Sequence, residues 1–294
     1  MADTDLLAPE NVDRIRRQLL AVDRLPTIST MFEKIISLLE DQNSSVKDVE
    51  KVIRLDQVIS TRILRLINSS YYGYGNITSI SHGITLLGFN TLKNLVLSAS
   101  LSAVINVGAP MGRLSVADFW LHSIGVASIC KLLSLQTGVA DPEEMFTLGL
   151  LHDIGKVMYL KETPEFFQAL LDRSQQEQKP LFEVENEVGV SHAHLGWFLC
   201  EKWNFPPKIS SVIKNHHSVN DEDEFANEEA IVNLADYLTL KLDIGSSGNS
   251  FPGPPAPVVS QRLKISKNSW TQIKEKLQEQ RDAVVQLSEQ LLKS

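Results

Sequence analysis

Leu150-Leu151-His152-Asp153-Ile154-Gly155-Lys156 sets an imidazole directly beside a carboxylate at the end of an apolar run. Imidazole suits Fe, Mn, Co, Ni and Zn, and carboxylates accept harder ions, so an adjacent His and Asp form a metal-ligand signature. The run before it starts as a helix should. Asp141 is a good N-cap, Pro142 fits the first helical position, and Glu143 and Glu144 suit the positive end of the helix dipole. That helix runs into His152-Asp153 and meets Gly155 near its end. Five of the seven histidines, His122, His152, His192, His216 and His217, fall in spots that, with Asp153 and Asp236, could complete a metal site.

Working outward, helical periodicity without useful strand alternation continues on both sides of this stretch. The pattern predicts helices over Ala117 to Gln136, Pro164 to Gln176, Leu181 to Val188, His192 to Trp203, Pro207 to His217 and Glu228 to Leu242. Upstream, Met31, Phe32, Ile35, Ile36, Leu38 and Leu39 share one face. Ser45 with Asp48 reads as an N-cap arrangement, and Ile59 to Ile67 as another amphipathic helix. Residues 68 to 76, rich in small polar residues and Gly, break the pattern before it resumes from Ile84 to Leu101, and Val107 to Gly112 reads as a connection. Residues 245 to 257 are Gly-, Ser- and Pro-rich and predict a loop that either covers the metal pocket or crosses the surface. Trp270 to Leu292 is amphipathic through Ile273, Leu277, Val284, Leu287 and Leu291.

The expected fold is all-α. An N-terminal helical subdomain (1–115) packs against a helical metal-binding subdomain (116–243), followed by a loop (244–260) and a C-terminal segment (261–294) that ends in an amphipathic helix. With 294 residues, 43% apolar content and 22% charge, the chain can bury a sizeable core. A net charge of -8 without clustered Lys and Arg argues against a nucleic-acid partner. Cys130 and Cys200 lack CxxC spacing and sit in apolar runs, so they read as core thiols of a reducing compartment. The first residues lack a leader pattern, and no run approaches the ~20 apolar residues that cross a bilayer. A cytoplasmic location without membrane contact is expected.

Two ions fit the ligand pattern. His122, His152, Asp153 and Asp236 could furnish one, and His192, His216 and His217 a second bridged through Asp153, at the ~3.5 to 4 Å spacing of two-metal hydrolases. His82 and His194 are assigned no role.

The His-Asp stretch, with a histidine upstream and an aspartate downstream, resembles the HD superfamily of metal-dependent phosphohydrolases. More narrowly, the chain resembles the HDOD family of bacterial signalling modules. Leu25-Pro26, Val52-Ile53-Arg54-Leu55-Asp56, Leu64-Arg65-Leu66-Ile67-Asn68-Ser69, Tyr72-Gly73, Leu87-Gly88, Phe119-Trp120-Leu121-His122-Ser123, His192-Ala193-His194-Leu195-Gly196, Trp203-Asn204-Phe205-Pro206 and His216-His217 carry that likeness. It implies N-terminal helices packed on an HD-type helical domain and a role in signal transduction through a protein partner. His122, His152, Asp153 and Asp236 match the four HD ligands. His192, His216 and His217 match the additional ligands of HD-GYP cyclic-dinucleotide phosphodiesterases, and Lys156 stands where that motif places a lysine near the substrate phosphate. The chain departs from HD-GYP after His217, where Asp221-Glu222-Asp223-Glu224 stands without a Gly-Tyr-Pro motif, and this weakens a cyclic-dinucleotide assignment. Two functions follow from the resemblance: a signalling module holding one or two divalent transition metals, or a phosphohydrolase acting on a nucleotide or other phosphate ester, with Asp153 and Lys156 as its catalytic residues.

Overall fold

The computed structural model describes residues 6–21, 38, 44–54, 57–73, 75–105 and 114–292. Every regular element among them is a helix, as expected. The apolar stripe between Met31 and Leu39 (Leu38 apart), Leu25-Pro26, Leu55-Asp56, Tyr74 and the connection at 107–112 lie outside the described residues.

In chain order the helices are α1 (Pro9–Leu20), α2 (Val46–Ile53), α3 (Gln57–Ile67), α4 (Ile80–Ile105), α5 (Val116–Thr137), α6 (Pro142–Leu151), α7 (Lys156–Glu162), α8 (Pro164–Glu177), α9 (Leu181–Val188), α10 (His192–Lys202), α11 (Pro207–Asn215), α12 (Ala226–Lys241), α13 (Pro257–Leu263) and α14 (Lys267–Leu292). They fall into two compact units, one of Met1–Leu25 with Gly108–Trp270, the other of Pro26–Val107 with Thr271–Ser294. This grouping differs from the linear segments read from sequence. In the first unit α1 packs on α7, where Gln18 donates to the Glu162 carbonyl at 3.0 Å, and Arg16 reaches the end of α9 by donating to the Gly189 carbonyl at 2.6 Å.

In the second unit α2 and α3 both pack on α4. Ser45 and Asp48 form a reciprocal capping box at the start of α2, satisfying backbone donors the helix cannot pair internally. Asn68 ends α3 by accepting from the Ile77 amide at 2.7 Å and donating to the Ile77 and Leu64 carbonyls, which ties down the interruption. In α14, Ile273, Leu277, Val284 and Leu287 are buried, as their spacing requires.

The first unit is built around α5, which packs on α6 and α12. Ser115 caps its start and Gly138, in the left-handed conformation, its end. By length and apolarity α5 could cross a membrane, contrary to the sequence expectation that no run comes close. Within the protein, 72% of its most apolar window is buried, which makes it a core helix. Asp141 caps α6 by accepting from the Glu144 amide at 2.8 Å. Two glycines then set the packing: a Cβ on Gly149 would press on the Ala127 backbone of α5, and one on Gly155 would overlap the His192 carbonyl of α10. The segment 245–256 is irregular, as read. It does not merely cross the surface, since Ser247 and Asn249 are buried and Asn249 accepts from the Leu181 amide at 3.2 Å. Regular structure restarts earlier than expected, with Pro257 opening α13.

Candidate metal centre

Five elements of the first unit converge. His122 is buried in the second turn of α5, and His152 is the C-cap of α6. Asp153 occupies a tight turn closed by bonds from Ile154 N to Leu151 O and Lys156 N to Asp153 O, both 2.9 Å, which leads into α7. His192 is the first residue of α10 behind its cap Ser191, His216 is the C-cap of α11 with His217 after it, and Asp236 projects from α12. Ligands thus sit at helix ends, where the chain turns, except His122 and Asp236, which face inward from helices covered on their other sides.

The side chains form two groups that could each hold an ion: His122, His152 and Asp236, and His192, His216 and His217 with Asp153. Asp153 faces both. Its Oδ2 lies 3.3 Å from His152 Nε2 and 3.8 Å from His122 Nε2. Its Oδ1 lies 3.2 Å from His192 Nε2 and 3.9 Å from His216 Nε2. Within the groups, Nε2 of His122 and His152 are 3.3 Å apart, Nε2 of His192 and His216 3.3 Å, and Nε2 of His192 and His217 3.1 Å. Ligands ~2.1 Å from one ion would stand ~3.0–3.4 Å apart, so these spacings are those of shared coordination.

The opposite ring nitrogens orient the Nε2 lone pairs inward. His152 Nδ1 pairs with the Gly149 carbonyl and His216 Nδ1 with the Ile213 carbonyl, each at 2.7 Å. His192 Nδ1 pairs with Glu185 Oε2. A carbonyl or carboxylate partner demands a proton on Nδ1, which leaves Nε2 as the donor atom to a metal. Asn233 braces the α11 end by donating to the His216 carbonyl at 2.7 Å, and Phe182 stacks on the His217 ring with centroids 4.5 Å apart.

Burial dominates the electrostatics. It lowers the pKa of His122, carries His216 down to about 3 with help from the neighbouring His192 and His152, and pushes His217 well down, so these rings are neutral as metal ligands require. At His152 burial is again the largest effect and acts downward, but the charge and hydrogen bond of Asp153 together with the charge of Asp236 raise the pKa overall. At His192, where burial is also the largest effect, the Glu185 charge and the hydrogen bonds to Asp153 and Glu185 together raise it. Burial would raise Asp153, yet His152 and Lys156 hold it well below the usual carboxylate range. Asp236 is likewise held low by His122 against the effect of burial.

All seven residues read as metal ligands are therefore brought together. Lys156, read beside a substrate phosphate, is buried, and its Nζ donates to Asp153 Oδ2 at 2.7 Å and to Ser247 Oγ at 3.1 Å. Its charge is spent on the shared carboxylate. Sequence reasoning missed Glu185 and Ser247. Glu185 carried a signal, because it shares the apolar face of α9 with Leu181, Val184 and Val188, where a carboxylate needs a partner. Ser247, in a Gly- and Ser-rich loop, carried none.

The donors fit divalent transition ions. Buried Oδ1 atoms of Asp153 and Asp236 make no hydrogen bond, and an unsatisfied buried carboxylate oxygen is costly without a cation. Five imidazoles and two carboxylates, one of them the shared Asp153, favour Fe, Mn, Co, Ni or Zn over Mg or Ca.

Comparison with known proteins agrees with this fold. An HDOD domain protein of unknown function from Geobacter sulfurreducens superposes with a TM-score of 0.80 at 24% identity, covering 96% of this chain and 98% of that one, which establishes the fold. An uncharacterized protein of Treponema pallidum is 24% identical over 74% of this chain and 40% of its own length. A ribonuclease Y of Mycoplasma mycoides is 28% identical over 56% of this chain and 37% of its own. The chain thus spans well under half the length of these curated relatives. The HDOD domain pattern matches residues 25–219, which take in His122, His152, Asp153, His192, His216 and His217, and the chain belongs to the HDOD domain family.

Proposed function

We propose that the protein is a cytoplasmic signal-transduction module that holds one or two divalent transition metals and acts through a protein partner or a bound nucleotide-like ligand. The observation that carries this reading is Asp153, whose two oxygens face two separate histidine groups. His122, His152, Asp236 and Asp153 Oδ2 would hold one ion; His192, His216, His217 and Asp153 Oδ1 would hold the other. Lys156 offsets the charge of the shared carboxylate, and Ser247 keeps the 245–256 segment over that ammonium. Exposure at the ligand set is confined to the His217 and Asp236 side chains, 13% and 10%. This burial favours a binding role over rapid turnover of a bulky substrate.

The competing reading is a phosphohydrolase, supported by the shared carboxylate and by likeness to a ribonuclease Y over part of the chain. Bound ions would polarise a phosphoryl oxygen and acidify a water. In that case Asp153 positions both metal groups, and Lys156 acts on substrate only through Asp153.

Metal content per chain, measured by mass spectrometry on anaerobically purified wild type beside His152→Ala and Asp153→Ala, tests the proposal. One to two ions per chain, lost in both variants, supports it; a wild type that stays metal-free after reconstitution overturns it. A screen of phosphate esters with added Mn or Fe then separates the readings. Turnover abolished by Asp153→Ala supports the enzyme, and inactivity with metal bound supports the module.

A further inference from the structure

The two halves of the centre differ in what stands behind their ligands, and we infer that they load in order: the His192/His216/His217 position fills first, with Glu185 as the residue that sets this preference. The inference rests on the metal-binding reading above and adds which position dominates and why.

The hydrogen bonds behind the imidazoles are unequal. His152 and His216 are each backed by a neutral backbone carbonyl. His122 Nδ1 is buried and makes no hydrogen bond. Only His192, among the described ligands, has its Nδ1 hydrogen-bonded to a carboxylate, that of fully buried Glu185, whereas Asp236 Oδ2 stands 4.0 Å from His217 Nδ1, too far for a hydrogen bond. A carboxylate accepting from Nδ1–H pushes charge through the ring onto Nε2 and fixes its direction, and losing such a partner commonly weakens metal binding ~10- to 100-fold. Glu185 is itself held in place. Its Oε2 also accepts from the His192 amide at 3.3 Å, and its carbonyl receives the Gly189 and Val190 amides that close α9. Tyr159 spends its hydroxyl proton on the Val190 carbonyl at 2.9 Å, bracing the turn that joins Glu185 to His192.

The shared carboxylate is unequal too. Oδ2, on the His122/His152/Asp236 side, already accepts from the Lys156 ammonium at 2.7 Å, whereas Oδ1, on the His192 side, makes no hydrogen bond. An ion on the Oδ2 side competes with a resident cation; an ion on the Oδ1 side does not. Three imidazoles, one of them carboxylate-backed, and an unshared oxygen therefore face two imidazoles, Asp236 and a shared oxygen.

Stepwise titration of the apo protein with Co(II), followed by its d–d absorption and by calorimetry, tests the order. Two resolved steps are expected. Asp236→Ala should remove the weaker step and leave the tighter one, while Glu185→Gln should weaken the tighter step ~10- to 100-fold. Gln keeps the size of Glu and can still accept from Nδ1–H through its amide oxygen, so a role limited to shape and hydrogen bonding leaves that step unchanged. Far-ultraviolet circular dichroism confirms that the variants fold. Unchanged tight binding in Glu185→Gln, or loss of the tighter step in Asp236→Ala, overturns the inference. A wild type that binds no Co(II) contradicts the metal-binding reading itself, and so is distinguishable from failure of the order.

Discussion

Helices α5 and α14 are similar in length, 22 and 26 residues, but they relate to their surroundings in opposite ways. In α14 the buried aliphatic residues Ile273, Leu277, Val284 and Leu287 recur at helical spacing, with exposed Lys and Glu between them. In α5 burial extends around the helix, from Phe119 and Trp120 through His122 to Ile129, Cys130 and Leu133. A helix covered on one face needs only a stripe. A helix covered all round has no solvent for a polar group, so a polar residue in it is costly without a partner. His122 is such a residue, and its partners are His152, Asp153 and Asp236.

The contrast can be broken or sharpened by substitution. Trp120→Ala in α5 should destabilise by ~3–5 kcal/mol, because it empties a fully buried aromatic site; a thermal midpoint near wild type would show that α5 is not the core. Ile273→Ala should cost ~2–4 kcal/mol in chemical denaturation while Lys274→Ala, off the stripe, stays within ~0.5 kcal/mol. Equal effects would erase the difference between the helices. Gly155→Ala should cost ~1–3 kcal/mol, since a Cβ there meets backbone and not a yielding side chain. Asp141→Ala should cost ~1 kcal/mol by uncapping α6. Leu135→Gln, at a residue 60% exposed, should change stability by no more than ~0.5 kcal/mol and marks the place where α5 emerges from its cover.

The same contrast explains what was legible in the chain. Caps announced themselves, so Ser45/Asp48 and Asp141-Pro142 start α2 and α6 where read, and α9 runs from Leu181 to Val188 as expected. No expectation covers α7 as a separate helix, because Gly155 reads as a stop while the chain needs only a four-residue turn before the next helix begins at Lys156. The start of α13 was hidden by prolines, although Pro257 stands at a helix N-terminus where its missing N–H costs nothing. At the centre, the seven residues read as metal ligands stood out by their chemistry, and they lie together in two groups that could each hold an ion. The direction of Lys156 was not legible, since a lysine near a helix start gives no hint that a distant Ser247 and the Asp153 carboxylate will enclose it.

The most direct test of the central claim is a crystal structure of Mn(II)- or Fe(II)-reconstituted protein with anomalous diffraction at the metal edge. The account predicts an anomalous peak within ~2.0–2.3 Å of Asp153 Oδ1 and of Nε2 of His192 and His216, with any second peak on the Oδ2 side near His122, His152 and Asp236. Anomalous density elsewhere, or none at Asp153 with the protein saturated in metal, would contradict it.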